Sequence, residues 1–152
     1  MNSIVVNRTY LFDLAGQVRF GELSTDALYA IFKDGRNASF MLEEWLTLKF
    51  PLTRVLGNRD HDHVDELGNK YDAKNFTKGG LKFMPSNQIG AGRQFNKEIA
   101  HQHAGELIYI CCDIVDFPRI RVRFINGSEL MATYPKCSIP FRKRESLFAD
   151  ET

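Results

Sequence analysis

Hydrophobic positions along this chain follow two periods, and each change of period marks an element. Ala27, Leu28, Ile31 and Phe32 recur at helical spacing behind Ser24, a good N-cap, and predict a helix to about Lys33 that Asp34-Gly35 breaks. Met41, Leu42, Trp45 and Leu48 repeat the pattern over about residues 38–50. They predict a second helix that buries those four side chains and stops at Pro51. Thr53–Leu56 predicts a strand, and the segments flanking Gly68-Asn69 read as two arms of a hairpin. Leu81–Met84 fits another short strand after Gly79-Gly80, and Gly90-Ala91-Gly92 marks a loop. Asn96 or a neighbour starts a helix that Gly105 stops. Leu107–Val115 is a continuous apolar run, as in a strand buried on both faces. Ile120, Val122 and Phe124 alternate with Arg119, Arg121 and Arg123, which predicts a half-buried strand. Ser128–Tyr134 fits a short helix, and Ile4–Val6 and Tyr10–Phe12 fit short strands or irregular chain. The order is helix, helix, strand, hairpin, helix, strand, strand. It predicts an α/β fold with a mixed sheet flanked by helices.

Composition narrows the picture. With 152 residues, 43% of them hydrophobic and 12% aromatic, the chain has material for one folded domain spanning 1–152. A formal net charge of +1 gives no global positive field, so a nucleic-acid surface has to come from local clusters. Three cysteines, two of them in the apolar run, read as buried free thiols in a reducing compartment, and no Cys-x-x-Cys pair suggests structural zinc. The chain shows no signal-peptide core and no apolar stretch of membrane-spanning length. A cytoplasmic protein without a membrane partner is expected.

The candidate chemistry lies in Asp62–Lys74. Alternate strand residues share a face, so Asp72 and Lys74 project together, about 7 Å apart along the strand. The hairpin folds Asp62 back toward Asp72. Two carboxylates and an ammonium at one place suit a hard divalent cation with a charged partner beside it, and such a site suits phosphodiester hydrolysis. The other reading is a polar hairpin with a surface salt bridge.

Residues Asp62–Phe76 resemble the active-site hairpin of the PD-(D/E)XK nucleases, a superfamily with many type II restriction endonucleases and some homing endonucleases. Nine residues separate Asp62 from Asp72, and Tyr71-Asp72-Ala73-Lys74 follows a glycine-containing turn. His61 stands where the family name has proline, and Asp72 replaces the more frequent glutamate. The resemblance implies a restriction-endonuclease-like core, with the signature on its second and third strands and the site at one edge of the sheet. It implies that Asp62, Asp72 and the Ala73 carbonyl hold Mg²⁺, for which Mn²⁺ substitutes, and that Lys74 positions water or stabilises an anionic oxygen. In many relatives a glutamate of the preceding helix reaches the site. Glu43 is the candidate here; Glu44 points about 100° away, so at most one of them does so. A solvated helix face is the alternative for both. His61 and His63 lie on the strand face opposite Asp62 and read as surface or DNA-contact residues.

Double-stranded DNA is the expected substrate. Lys78, Lys82, Ser86, Asn87, Gln88 and Arg93 follow the catalytic strand, with side chains that read base edges or grip phosphates. Arg121, in the basic row of Arg119 and Arg123, is a further phosphate contact, although Asp113 and Asp116 are near enough in sequence to neutralise that row. Cutting both strands with one small site requires two copies, so a homodimer, or a tetramer, is expected. A structure-specific nuclease such as a junction resolvase, and a non-catalytic DNA-binding module on the same fold, are the competing functions.

Overall fold

The computed structural model describes residues 1–57, 61–85, 92 and 94–150. Its centre is a six-stranded mixed sheet in the order β1-β7-β6-β4-β3-β2. The strands are β1 (Thr9–Asp13), β2 (Thr53–Arg54), β3 (His63–Val64), β4 (Lys70–Phe76), β6 (Ile108–Asp113) and β7 (Arg119–Asn126). Only β4 and β6 pair in parallel, and the crossover between them carries helix α3 (Lys97–Gly105). Two short strands, β5 (Leu81–Lys82) and β8 (Ser138–Ile139), form a separate antiparallel pair.

Helices cover both faces. On one face α2 (Gly35–Lys49) packs Ala38, Leu42 and Leu46 against Tyr71, Ile110, Cys112, Val122 and Phe124. Helix α1 (Thr25–Phe32) extends that layer, with Phe32 stacked on Phe117 at 4.9 Å. On the other face α3, α4 (Gly127–Thr133) and α5 (Arg144–Phe148) bring Ala100, Ala104, Met131 and Phe148 against Tyr109, Cys111 and Ile125. The caps follow the sequence signals: Ser24 Oγ accepts from the Ala27 N–H at 3.1 Å, and Asn96 Oδ1 from the Ile99 N–H at 3.1 Å. Asp34, read as a helix breaker, is the N-cap of α2, accepting from the Arg36 N–H at 2.9 Å. Strand β6 is buried along nearly its whole length, as its apolar run predicts, and all three cysteines are free and buried. Among the described residues no helix is long and apolar enough to cross a membrane.

Several expectations are corrected. Helix α2 buries Leu46, while Leu48 is 69% exposed and Met41 is also exposed; Trp45 is half-buried on Phe12. The buried stripe is Ala38-Leu42-Leu46, which continues to Phe50 at strict i, i+4 spacing. In α1 only Leu28 is buried, and Ile31 points outward. Residues 4–6 form no strand, whereas Thr9–Asp13 is the edge strand paired with β7. The expected strands at 53–56 and 81–84 shorten to two residues each. Strand β7 is more buried than half: Arg123 lies inside, its guanidinium on Thr9 and Asp150 at 2.9 Å each. The loop at 90–92 and the candidate contacts Ser86, Asn87, Gln88 and Arg93 fall outside the described residues except for Gly92.

The two leucines of α2 give a direct test of its orientation. Leu46→Ala opens a cavity in a fully buried position and is expected to cost about 2–4 kcal/mol. Leu48→Ala on the exposed side is expected to stay within about 0.5 kcal/mol. Equilibrium denaturation of both variants measures this, and the reverse order would put the other face of α2 inside.

Candidate active site

The hairpin of β3 and β4 is built by one carboxylate that is not itself a candidate ligand. Asp65 accepts hydrogen bonds from the Leu67 and Asn69 backbone N–H groups at 3.0 Å each, from the Asn69 side chain at 2.9 Å and from the Tyr71 hydroxyl at 2.8 Å. Burial acts upward on its pKa, but the hydrogen bonds from Asn69, Tyr71 and Leu67 outweigh it and hold the carboxyl below its usual value. Gly68, at φ +85°, takes the left-handed conformation that the turn requires. Asp65 therefore serves the turn rather than a metal.

Asp62 leaves the ladder at the foot of this hairpin. His63 is the register partner of Tyr71, yet the Asp62 N–H also donates to the Tyr71 carbonyl, at 2.8 Å. Two residues then address one, the arrangement of a β-bulge, which re-aims a side chain. The Asp62 carboxylate takes the place of a backbone acceptor and receives the Ala73 N–H at 2.8 Å. From there it lies near enough to Asp72 and to Glu43 of α2 for both to influence its charge. Without the bulge, α2 and Asp62 would lie on opposite faces of the strand.

Asp72 and Lys74 share a face of β4, and Lys74 Nζ lies 3.1 Å from Asp72 Oδ2. Their register partners on β6 are Tyr109 and Cys111, both buried, so the pair rests on core. Asp72 is only 13% exposed. Burial pushes its carboxyl up to about 6; Lys74 opposes the shift and Asp62 adds to it. Burial raises Asp62 as well, with Glu43 acting in the same direction.

Glu43 is buried, although it stands on a helix with a solvated side. Arg54 of β2 holds it, Nη2 to Glu43 Oε2 at 3.0 Å, and reaches Glu44 with Nη1 at 3.2 Å. Glu44 itself is largely exposed. His63 is fully buried, not a surface residue: α2 covers its strand face, and its Nε2 meets the Glu43 carbonyl at 2.8 Å. Burial lowers its pKa, and its Nδ1 is buried without a hydrogen-bond partner among the described residues. Neither Arg54 nor the buried role of His63 was read from sequence. Arg54 and His63 are register partners on the α2 side of the sheet, a placement set by where α2 crosses the strands and not by spacing.

The other candidates are placed apart from this group. Lys78 and Lys82 are exposed after β4. Arg121 is engaged inside the protein, with Nη2 on buried Asp113 at 2.8 Å and a two-point contact to Glu145 at 3.1 Å. Arg144 approaches the same Asp113 oxygen at 2.9 Å and Asp116 at 2.7 Å. Of the basic row Asp113 pairs with Arg121, whereas Asp116 pairs with Arg144 and Arg123 is taken by Asp150.

The donors fit a hard divalent cation in kind. Among the described residues Arg54 pairs with Glu43 and Glu44 and Lys74 pairs with Asp72, while burial and the neighbouring Glu43 disfavour the charged form of Asp62. Burial penalises the charged forms of Asp62 and Asp72, a penalty that a cation offsets. As they stand, the carboxylates are paired with one another and with Lys74, Arg54 and the Ala73 N–H. Among the described residues no three carboxylate, imidazole or thiol groups form a ready-made metal cluster. No family model, curated protein or solved structure matches the chain, so the reading of this site rests on its own geometry.

The raised Asp72 pKa has a measurable consequence for the cation-free protein. The folded state keeps a proton that the unfolded chain, at 3.8, has released, so stability from this group is present below about pH 4 and lost as pH rises through about 6. Asp72→Asn removes the charge. It is expected to be more stable than the parent by about 2–3 kcal/mol at pH 7 in EDTA, with the gap closing near pH 4. Urea titrations of both proteins across pH 4–7 check this; a constant gap would contradict the burial of an ionisable group.

Proposed function

We propose that the protein is a Mg²⁺-dependent endonuclease of the PD-(D/E)XK kind, hydrolysing phosphodiester bonds in double-stranded DNA. The observation that carries this reading is the meeting of Asp62 and Asp72 across the hairpin with Lys74 beside Asp72. The element order supports it. Helix α2, strands β2, β3 and β4, helix α3 and strand β6 follow one another, and the Asp62–Lys74 stretch falls on the second and third of those strands.

In this mechanism Asp62 and Asp72 are the cation ligands, with the Ala73 carbonyl as a third oxygen. When bound, the cation supplies Lewis acidity and positive charge at the reacting phosphate. The Ala73 N–H fixes the direction of the Asp62 carboxylate. Lys74 leaves Asp72 to orient the attacking water and to stabilise the negative charge that grows on the phosphoryl oxygens. A new P–O bond forms from water as the bond to the leaving oxygen breaks, and that oxygen departs with a proton. Glu43 of α2 is near Asp62 and is ion-paired with Arg54. Lys78 and Lys82 are exposed and available to phosphates. Two copies of the chain are required to cut both strands, and a homodimer is the simplest assembly that supplies them.

Cleavage of a mixed plasmid and phage DNA panel tests this reading. Activity is expected with Mg²⁺ or Mn²⁺ and none in excess EDTA, while Ca²⁺ supports DNA binding without turnover. Asp72→Asn and Lys74→Ala are expected to lose about 10²-fold or more in rate with the fold intact, and Asp62→Asn to need more Mg²⁺ as well. Full cleavage in EDTA, or wild-type rates in both aspartate variants, would remove the site from the chemistry.

A further inference from the structure

We propose that the two-stranded β5–β8 sheet is a strip that tracks the phosphates of duplex DNA, with Lys78, Lys82, Lys136, Arg142 and Lys143 as its contacts. The choice of DNA as partner rests on the nuclease reading above, while the strip itself rests on charge and topology. Residues 77–85 and 134–143 carry these five cations and no carboxylate. The rest of the chain has 15 cations against 19 carboxylates, so the positive charge of the protein is gathered where these two segments meet. A local cluster of this kind supplies the field that the net charge of the whole chain does not.

The two segments are far apart in sequence, and β5 and β8 join them. Leu81 pairs with Ile139 and Lys82 with Ser138. Leu81 and Ile139 are buried in one core with Phe76 and Phe83, so Lys82 and Ser138 face outward. Lys136 lies two residues before Ser138 and is exposed. Lys78 sits in the tight turn that Thr77 and Gly80 close with hydrogen bonds of 3.0 and 2.8 Å. That turn packs on the chain leaving β8: a Cβ at Gly80, which has φ +85°, would run into the Ile139 carbonyl. Arg142 and Lys143 follow there, exposed, in the 3₁₀ turn Phe141–Lys143. Among the described residues none of the five side chains makes an ion pair. Glu145, the first carboxylate after the strip, is held by Arg121.

The strip lies on the sheet face that carries the acidic pair. Asp72, Lys74 and Phe76 alternate onto one face of β4, and Phe76 is buried with Leu81 and Ile139. Tyr109, the register partner of Asp72, donates to the Phe83 carbonyl at 3.4 Å and packs on the Phe83 ring at 5.3 Å. The chain leaving β5 therefore lies over the strand next to Asp72. A phosphate backbone resting on the strip is brought to the side where Asp72 and Lys74 project. Duplex fits better than single strands, which are gripped by rows of exposed rings. Of the rings in these segments Phe83 is buried and Phe141 is 43% exposed. Backbone contact needs only cations and donors such as the Ser138 hydroxyl.

The test is binding of a short fluorescent duplex of mixed sequence to the full chain across a salt series. EDTA is present, so neither metal binding nor cleavage enters. Each lost phosphate contact is expected to flatten the slope of log K against log salt by about 0.9. Lys82→Gln and Lys143→Gln are expected to do so singly, and the triple variant Lys82→Gln/Lys136→Gln/Lys143→Gln to bind about tenfold more weakly or worse at low salt. Lys82→Arg is expected to keep the slope, as is Lys33→Gln at the end of α1, an exposed lysine in the opposite helix layer. Thermal unfolding checks that these exposed substitutions leave the fold intact. An equal loss in Lys33→Gln overturns the strip, since overall charge then decides binding. Wild-type slope and affinity in the triple variant overturn it as well, and so does a wild-type chain that binds no duplex yet cuts it with Mg²⁺. Tighter binding of single-stranded DNA, or of phosphatidylserine vesicles, overturns duplex DNA as the partner. Loss of duplex binding in the strip variants of a chain that cuts nothing with Mg²⁺ keeps the strip and removes the nuclease reading.

Discussion

The burial of β6 on both faces is the constraint on which the rest of the structure depends. Tyr109 and Cys111 belong to the core under α3, α4 and α5, and Ile110 and Cys112 to the core under α2. A strand buried this way cannot slip by one residue without turning every side chain into the wrong core, so its register is fixed. That register is passed to β4 in parallel and to β7 in antiparallel pairing. Asp72 and Lys74 are therefore held by the register with Tyr109 and Cys111 beside them as well as by their own ion pair. A polar pair placed on so rigid a support keeps its geometry at the cost of solvation.

Two groups of charge sit on the same face of the sheet, and their difference indicates which is structural. Asp113 is buried and receives Arg121, Arg144 and the Val115 N–H. Each of its oxygens is satisfied, and Asp116 and Glu145 hold the remaining arginine nitrogens. This network closes the β7 end of the sheet against α5. At the β3 end, Asp62 and Asp72 influence each other's charge, and Lys74 pairs with Asp72. Buried groups of like charge are costly, and structural networks avoid them. The imbalance at Asp62 and Asp72 is what the proposed cation would offset.

Much of the fold was legible in the sequence, because period and caps are local properties. The helices over 25–32 and 97–105, the hairpin, the doubly buried strand and the α/β order all follow from spacing and from residues such as Ser24, Asn96 and Gly68. The inward face of α2 did not. Met41, Trp45 and Leu48 form as good an apolar stripe as Leu42 and Leu46, and only the sheet decides which is covered. Of the candidate site, the pairing of Asp72 with Lys74 and the return of Asp62 toward Asp72 follow from alternation and a turn. The bulge at Asp62, the buried His63 and the Arg54–Glu43 pair depend on where a helix crosses a strand. Long-range geometry of that kind leaves no trace in spacing.

The bulge has a consequence for how helix and hairpin act together. A regular strand would give Asp62 to one face and leave α2 on the other, with no route between Glu43 and Asp72. By spending the Ala73 N–H on a side chain instead of a backbone carbonyl, the hairpin turns Asp62 into the bridge between them. The same bond makes Asp62 sensitive to β4, since any shift of Ala73 along the strand moves the carboxylate. Residues on α2, β2, β3 and β4 thus converge on one carboxylate held by one backbone N–H. A site assembled that way is positioned by the sheet as a whole. It explains how a hairpin with only two residues in one arm can hold Asp62 near Asp72 against their mutual repulsion.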